Sequence, residues 1–443
     1  MKSVPNMGLK RVLGPVDAAW LVAGNMIGAG IFYTPGLVAG QLPGLAWPLA
    51  AWTLGGVLAL CGAAVYAELG ARIPRAGGDY QYLTAALGPR WGFLTGWAAM
   101  LLTFSAAAAA MCIVATNYLR TAVPWVGGVP DWIAAPVFVL LLTQANVVGA
   151  RVAGRTTAWF TGVPLVGLLG LFAVGLAGGE AEIHWPEARG SSGLRPLALG
   201  AAMLPVYFTY SGWNAAAYLA GELKDAARTL ARGLLGGTAL VTLVYLLVNT
   251  VILIVVPAEQ LAGSTTAGAD AARLLLGPTA ERALALMIAI AVLGSANVTL
   301  MAGSRIYYAM ACDDLAPRFL GRTNTAGVPS AALWAGGLWS ALLATTGTVD
   351  RLVNWATLAI LILSSLVVVS LFVIRKRDGA DAPFQCPGYP LVPAVYLIAS
   401  LGVACASAIE YPRQALYGVL LIAAGLPVYA LIERKHGRAN DER

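Results

Sequence analysis

Charged residues are scarce in this chain, since only 11% of its 443 residues are Asp, Glu, Lys or Arg. Soluble domains carry roughly 25%, so a water-soluble globule of this size could not cover its surface. Hydrophobic residues make up 59% of the chain, and the mean hydropathy is +0.74. The composition therefore excludes an ordinary soluble protein and indicates an integral membrane protein.

Histidine and cysteine are too few or too scattered for several kinds of chemistry. His184 and His436 lie outside the apolar runs, so neither a histidine-ligated metal nor a Ser/His/Asp or Cys/His catalytic group is expected. The five cysteines form no CxxC pair, which argues against a disulfide framework or a metal site. The positive charge is scattered over short loops, so no nucleic-acid partner is expected. The sequence predicts no enzyme activity and no cofactor.

Long apolar stretches fill the rest of the chain. A helix needs about 20 apolar residues to cross a bilayer, and a sliding window on this criterion predicts twelve spans. Their limits are 15–40, 47–71, 91–119, 132–148, 157–178, 197–221, 233–256, 283–311, 330–347, 352–374, 391–409 and 412–432. The predicted fold class is an all-α membrane protein with about 12 transmembrane helices, embedded in a lipid bilayer.

Lysine and arginine are distributed unevenly between alternate loops. If both termini are cytoplasmic, the cytoplasmic segments contain 21 of the 28 Lys and Arg residues and the outer segments contain 7. Positive charge favours the cytoplasmic side of a membrane, so this bias supports the span count. We expect a multi-pass protein of the bacterial inner membrane with cytoplasmic N- and C-termini.

Ionisable side chains inside the predicted spans lie near their cytoplasmic ends. They are Asp17, Glu68, Glu222 and Arg305. We expect these residues to anchor the helices at the membrane interface or to snorkel towards it. The deep parts of the spans then contain no counter-ion for a strongly charged substrate.

The first and sixth spans contain residues that interrupt a helix. The first contains Gly24, Gly28 and Gly30, and the sixth contains the run Phe208-Thr-Tyr-Ser-Gly-Trp-Asn214. Glycine costs about 1 kcal/mol at an interior helical position, and unpaired backbone in lipid costs several more. Two broken helices five spans apart indicate an inverted-repeat transporter with a central site. A GxxxG packing face would explain Gly24 and Gly28 but not Gly30 or the second break.

Such breaks can bind both ends of an amino acid without a charged side chain. N–H groups exposed after Gly28 carry the positive end of a helix dipole and can hold a carboxylate. Carbonyl groups near Met26 and Ile27, and near Phe208 and Ser211, can accept hydrogen bonds from an ammonium group. The predicted substrate is therefore a zwitterion, and Phe208 is expected to form an aromatic lid over it.

Several motifs recur in order along nearly the whole chain. They are Gly24-Asn-Met-Ile-Gly-Ala-Gly-Ile-Phe32, Tyr66-Ala-Glu-Leu-Gly70, Gly77-Gly-Asp-Tyr80, Phe208-Thr-Tyr-Ser-Gly-Trp-Asn214, Gly294-Ser-Ala-Asn297 and Pro387-Gly-Tyr-Pro390. They resemble the amino acid–polyamine–organocation superfamily, and within it the bacterial L-type amino acid transporters. The resemblance implies one transporter domain over 1–443, with helices 1 and 6 unwound at mid-span. Two inverted five-helix repeats would occupy 15–178 and 197–374, followed by two further helices in 391–432.

The resemblance also implies that the amino acid lies between the two breaks. The predicted binding residues are Met26, Ile27, Gly28, Ala29, Gly30, Phe208, Thr209 and Ser211. Ala29 and Gly30 would contact the carboxylate, and many L-type members have serine where Ala29 stands, so carboxylate binding rests here on backbone N–H groups. Ser211 stands where large-neutral transporters often have glycine, which favours small or medium substrates such as alanine, serine or valine.

The coupling ion stays open at this point. Ser295 and Thr299 lie four residues apart on one helical face and are candidates for the hydroxyl ligands of a sodium ion. Thr161 stands where sodium-independent relatives often carry a lysine, and its helix contains no lysine. We expect exchange of one amino acid for another first, sodium coupling second and proton coupling third.

The predicted function is a secondary transporter of neutral L-amino acids that works by alternating access, as an exchanger. One alternative is a permease for cationic amino acids or polyamines, which the lack of a deep acidic residue disfavours. Another is a membrane receptor that binds an amino acid without transporting it. We expect no accessory subunit, although the residues do not exclude one.

Overall fold

The fold is described from a computed structural model, which places residues 11–28, 30–123, 128–148, 150–177, 196–346 and 348–441. Within these ranges the chain forms helices joined by turns and loops. An isolated parallel bridge joins Leu13, just before the first helix, to Leu223, just after the sixth predicted span.

A helix or helix pair lies at each of the twelve predicted spans. The helices are α1 Pro15–Met26, α2 Gly30–Gln41, α3 Ala46–Arg72, α4 Asp79–Leu87, α5 Pro89–Ala98, α6 Phe104–Ala122, α7 Asp131–Val148, α8 Ala150–Ala177, α9 Pro196–Tyr210, α10 Ala215–Tyr218, α11 Ala226–Val255, α12 Ala258–Leu261, α13 Ala267–Leu276, α14 Pro278–Cys312, α15 Ser330–Thr346, α16 Val349–Asp378, α17 Leu391–Glu410, α18 Pro412–Ala423 and α19 Gly425–Asp441. The all-α fold class is confirmed.

Many of these helices have the length and composition of membrane spans. Among the described residues, 8 helical segments are each long and apolar enough to cross a membrane. Helices α1 and α2 together form a further, bent span. The outward face of α11 exposes Leu240, Leu243 and Leu247, whose spacing of three and four residues places them on one helical face. Exposed leucines in such a stripe suit contact with lipid, so the chain is a multi-pass membrane protein.

The two broken spans occupy the centre of the bundle. Helix α1 packs against α8, α11 and α14, while α2 packs against α9 and α13. Helices α6 and α14 pack along each other beside them. The outermost helices, α17 and α18, bury much less of their surface, as expected for helices added at the edge.

The first span breaks because Ile27 leaves the helical conformation. Its φ of −75° and ψ of 81° form an inverse γ-turn, in which the Gly28 N–H donates to the Met26 carbonyl at 2.8 Å. Helix α2 then begins at Gly30, bent by 43° from α1. A Cβ on Gly28 would stand 2.7 Å from Oγ of Ser295, so the glycine is required for this close approach.

The sixth span is interrupted after Tyr210. A turn through Asn214 separates α9 from the single-turn helix α10. Gly212 has a φ of +102°, a left-handed conformation that glycine adopts without steric cost. Both interruptions expected from the sequence are therefore confirmed.

The expectation that Glu68, Glu222 and Arg305 anchor at the interface or snorkel is wrong. Nε of Arg305 donates to Oε1 of Glu222 at 2.9 Å, and the two side chains are only 1% and 3% exposed. Glu68 is fully buried and forms ion pairs with Arg72 and Arg375. A buried charge without a partner costs several kcal/mol, so these residues are paired inside the bundle instead of reaching the interface.

Asp17 is exposed, in agreement with the expectation. Its carboxylate accepts a hydrogen bond from the Gly14 N–H at 2.7 Å. A carboxylate in the first turn satisfies an unpaired N–H and complements the helix dipole, so Asp17 stabilises the start of α1.

A π-helical turn, Ala99–Thr103, interrupts the third span between α5 and α6. Neighbouring side chains donate to carbonyls of this turn: the Tyr307 hydroxyl donates to Ala99 at 3.3 Å, and Nε1 of Trp339 donates to Leu101 at 3.1 Å. Such turns often occur at functional sites. This one brings Thr103 to a cavity beside the broken helices.

Candidate functional site

The breaks of the first and sixth spans lie side by side. Nδ2 of Asn25 donates to the Gly212 carbonyl at 3.4 Å. At the start of α2, a Cβ on Gly30 would stand only 2.8 Å from the Cα of Thr209, and the hydroxyl oxygens of Thr34 and Thr209 are 2.8 Å apart. The end of α1, the start of α2 and the end of α9 therefore form one continuous surface.

Tyr245 on α11 contacts both breaks and was not anticipated from the sequence. Its buried hydroxyl lies within hydrogen-bonding distance of the carbonyls of Met26 and, at 3.1 Å, Thr209. A tyrosine hydroxyl has one proton to donate, so it donates to one of these carbonyls at a time. Its position between the two carbonyls links the breaks. A tyrosine within an apolar span was the available signal, since its buried hydroxyl needs a partner.

Two of the carbonyls predicted to bind an ammonium group already accept hydrogen bonds. The Phe208 carbonyl accepts from the N–H of Ser211 at 2.9 Å and from its hydroxyl at 2.6 Å. The Met26 carbonyl accepts from the Gly28 N–H and faces the Tyr245 hydroxyl. The protein's own donors thus shape the breaks, and an ammonium group at these carbonyls has to replace one of them.

Ser295 and Thr299 reach the first break through Asn25. Oγ of Ser295 donates to the Asn25 carbonyl, and Oγ1 of Thr299 donates to Oδ1 of Asn25, each at 2.9 Å. The sulfur of Met111 lies beside both hydroxyls. Thr161 is not part of this group: it is buried on α8, and its hydroxyl makes no hydrogen bond among the described residues.

Two cavities flank the breaks, and Met111 lines both. The larger, of about 250 Å³, is lined by Gly30 and Phe208, together with Gln41, Val349 and Tyr411, which the predicted orientation places on the outer side. The smaller, of about 50 Å³, is lined by Asn25 and Ser211. Of the predicted binding residues, Gly30 and Phe208 therefore line the larger cavity and Ser211 lines the smaller.

The chain also matches known proteins along nearly its whole length. Residues 13–429 match the family described as amino acid permease. The chain belongs to this family. The resemblance stated from the short motifs is confirmed.

Curated relatives match this permease over nearly its whole length. The serine/threonine exchanger SteT of Bacillus subtilis (strain 168) is 28% identical over 428 residues, covering 95% of this chain and 97% of the relative. The human Asc-type amino acid transporter 1 is 28% identical over 439 residues, covering 96% and 83%. The human large neutral amino acids transporter small subunit 2 is 28% identical over 436 residues, covering 96% and 81%.

The structure places the permease's predicted binding residues at the two breaks, apart from Ala29, which lies outside the described residues. Met26, Ile27 and Gly28 are buried at the end of α1. On α9, Phe208 is 6% exposed beside the larger cavity, and Thr209 contacts α2.

Asp79 is a second polar residue that sequence reasoning missed in this permease. It is the first residue of α4, outside the predicted spans, yet it is only 7% exposed and lines the smaller cavity. A search for ionisable residues confined to the spans could not find it. The available signal was its place in the motif Gly77-Gly-Asp-Tyr80.

Proposed function

We propose that this permease exchanges small neutral L-amino acids across the bacterial inner membrane by alternating access. The observation that carries the proposal is the meeting of two broken helices at the bundle centre, with a cavity on either side. Helix ends supply partial charges of both signs at such a point. The names of the relatives, a serine/threonine exchanger and a large neutral amino acids transporter subunit, support the substrate class and the mode.

The substrate carboxylate binds at the start of α2. The first N–H groups of a helix have no partner within it and carry the positive end of the dipole. Gly30 begins α2 and lines the larger cavity, so a carboxylate that enters there meets the N–H group of Gly30. Binding then requires no charged side chain.

The substrate ammonium group binds at the ends of α1 and α9. Both helices point their negative C-terminal ends at the breaks, through Met26 and Ile27 on one side and Phe208 and Thr209 on the other. The Ser211 hydroxyl occupies the Phe208 carbonyl. Rotation of this single hydroxyl releases a carbonyl oxygen for the ammonium group.

Phe208 and Ser211 limit the size of the substrate side chain. Phe208 lines the larger cavity and Ser211 the smaller, so both lie next to the proposed position of the amino acid. We expect alanine, serine or valine to compete for uptake better than tryptophan does. A stronger effect of tryptophan than of alanine would contradict this assignment.

The proposal includes the arrangement of the chain in the membrane. Both termini lie in the cytoplasm, the inverted repeats occupy 15–178 and 197–374, and 391–432 adds two helices. The permease catalyses no covalent reaction and needs no accessory subunit. Transport by the purified chain alone in liposomes tests the last point directly.

Coupling to an ion is less favoured than exchange. The hydroxyls of Ser295 and Thr299 are engaged with Asn25, and a sodium ion would have to displace both hydrogen bonds. The groups proposed to bind the substrate at the breaks are backbone N–H and carbonyl groups, which do not titrate. A substrate-for-substrate cycle needs neither ion.

The deciding experiment measures uptake of radiolabelled L-alanine into liposomes that contain the purified chain. Liposomes are preloaded with L-alanine or left empty, each with and without a sodium or proton gradient. We expect uptake only into preloaded liposomes, and no accumulation driven by either gradient in empty ones. Binding without uptake in any condition would favour the receptor, and a preference for lysine would favour the cationic permease.

A variant of Thr299 separates exchange from sodium coupling. Accumulation into empty liposomes under a sodium gradient would overturn pure exchange. If that accumulation disappeared in Thr299→Ala but persisted in Thr250→Ala, sodium would bind at Thr299. Thr250 is a suitable control because its hydroxyl bonds only within its own helix, to Leu246 at 2.7 Å.

A further inference from the structure

Asp79 places a buried carboxylate against the smaller cavity beside the broken helices. The cavity is also lined by Asn25 from the first break and by Ser211 and Gly212 from the second. The predicted orientation puts α4 on the cytoplasmic side. An amino acid that moves between the breaks and the cytoplasm therefore passes this carboxylate.

The backbone before Asp79 holds it against the sixth span. Gly77 and Gly78 have φ values of +116° and +49°, and the Gly77 N–H donates to the Tyr218 carbonyl at 3.0 Å. A Cβ on Gly78 would stand 2.6 Å from Cε1 of Tyr218. One residue later, the Tyr80 hydroxyl donates to Oδ2 of Asp313 at 2.7 Å. These contacts fix the position of the carboxylate.

In the part of the chain that the structure describes, no cation compensates this carboxylate. Asp79 forms no ion pair there, and its Oδ1 is buried without a hydrogen-bond partner. The titratable groups that face it are the hydroxyls of Tyr66, Tyr82, Tyr207 and Tyr218, from α3, α4, α9 and α10. The cavity walls from α1, α6, α14 and α16 present uncharged side chains.

The protonation of Asp79 follows from this environment. Burial raises the pKa of its carboxyl from the ordinary 3.8 to about 6, and the nearby hydroxyls of Tyr66 and Tyr218 oppose that rise. The carboxylate is therefore ionised at neutral pH but unpaired. A ligand with one positive charge would supply the missing partner.

We propose that Asp79 binds the ammonium group of the amino acid on the cytoplasmic side of the breaks. The subsite rests on the exchange proposed above and adds a second binding position for the substrate. The present cavity, at about 50 Å³, is too small for a whole amino acid, so the substrate reaches Asp79 only when the cytoplasmic side opens. Substrate affinity at the cytoplasmic face then depends on Asp79, and affinity at the outer face does not.

The experiment compares the two faces in membrane vesicles of defined orientation, with radiolabelled L-serine as the probe. Right-side-out vesicles report the outer face, and inside-out vesicles report the cytoplasmic face. In Asp79→Asn at pH 7.5 we expect the KM of the cytoplasmic face to rise about tenfold, because a hydrogen bond to a charged group is lost. The KM of the outer face should stay within about twofold of wild type, since no such bond is made there.

The pH profile provides a second readout that does not depend on the variant's folding. In the wild type, the KM of the cytoplasmic face should rise as the pH at that face falls from 7.5 to 5.5, because the carboxylate becomes protonated. Asp79→Asn should lack this dependence. Asp381→Asn is the matched control, since Asp381 is exposed in a segment that the predicted orientation places in the cytoplasm and does not line the cavity; it should keep the wild-type profile.

Two outcomes would overturn the subsite while leaving exchange intact. One is a wild-type KM at the cytoplasmic face that does not change with pH. The other is an Asp79→Asn variant whose KM changes equally at both faces, which indicates a structural role. Failure of the proposed function is distinguishable, because wild-type vesicles of either orientation would then show no exchange of serine at all.

Discussion

Gly30 and Thr209 meet backbone to backbone where the first span crosses the sixth. A Cβ on Gly30 would stand 2.7 Å from the Cβ and 2.8 Å from the Cα of Thr209. Real Cβ atoms do not approach other carbon atoms this closely, and a Cα cannot move aside as a flexible side chain can. The contact joins the first residue of α2 to α9 beside the larger cavity.

Gly30→Ala should therefore separate the two breaks. Overpacking of this kind costs about 1–3 kcal/mol, so we expect a lower melting temperature together with loss of uptake. Gly236→Ala is the control, because the structure leaves open space around Gly236 on α11 and alanine favours a helix. Uptake at the wild-type rate by Gly30→Ala would show that the close contact is not required.

Phe208→Ala should weaken substrate binding at the outer face. The ring lines the larger cavity next to Gly30, and truncation of a central aromatic contact typically costs at least about 2 kcal/mol. We expect the KM for external alanine to rise tenfold or more, while detergent-solubilised protein stays monodisperse. Phe319→Ala is the control, since Phe319 is 54% exposed. An unchanged KM would make Phe208 an ordinary packing residue.

Tyr245→Phe should loosen the connection between the breaks. The variant keeps the ring but removes the hydroxyl that reaches the carbonyls of Met26 and Thr209. The loss of one buried hydrogen bond costs about 1 kcal/mol, measurable as a lower melting temperature. In Tyr417→Phe, where the tyrosine is 54% exposed, the melting temperature should not change. Equal effects of the two variants would refute the role assigned to Tyr245.

The buried ion pair between Glu222 and Arg305 should contribute far more to the stability of the fold than an exposed ion pair does. Removing one partner of a buried pair typically costs 3–5 kcal/mol, roughly, because the other charge is left without compensation. We expect Arg305→Met to unfold at a much lower temperature than wild type. Arg318 forms an exposed pair with Asp314, worth at most about 1 kcal/mol, so Arg318→Met should differ little. Similar losses from both variants would contradict this account.

Asp79 should make the stability of the protein depend on pH. Its folded pKa of about 6 lies above the ordinary 3.8, so between these values the folded state binds more protons than the unfolded state. Stability should therefore fall as the pH rises from 4 to 6, by on the order of 3 kcal/mol.

Asp79→Asn removes this titration and should be the more stable protein at pH 7.5. Near pH 4.5 its melting temperature should approach that of wild type, because both side chains are then uncharged for most of the time. Asp381→Asn, at an exposed position, serves as the control. A constant difference between Asp79→Asn and wild type at both pH values would show that the carboxyl does not titrate in this range.

The span limits could be read from the sequence because they depend on local properties. The length of an apolar run and the helical cost of Gly28, Gly30 and Gly212 act within one segment, whatever lies beside it. The same holds for the charge bias between alternate loops. These local signals identified the broken helices, and motif order identified the family.

Only the tertiary structure decided which residues meet at the site. Glu222 and Arg305 are 83 positions apart, and nothing local to either shows that they form a buried pair instead of reaching the interface. Asp79 lies in a loop by sequence, yet the folding of Gly77 and Gly78 against Tyr218 buries it beside a cavity. Such contacts arise from the packing of helices that are distant in sequence. Burial without a compensating cation, and not the residue type alone, sets the pKa of Asp79.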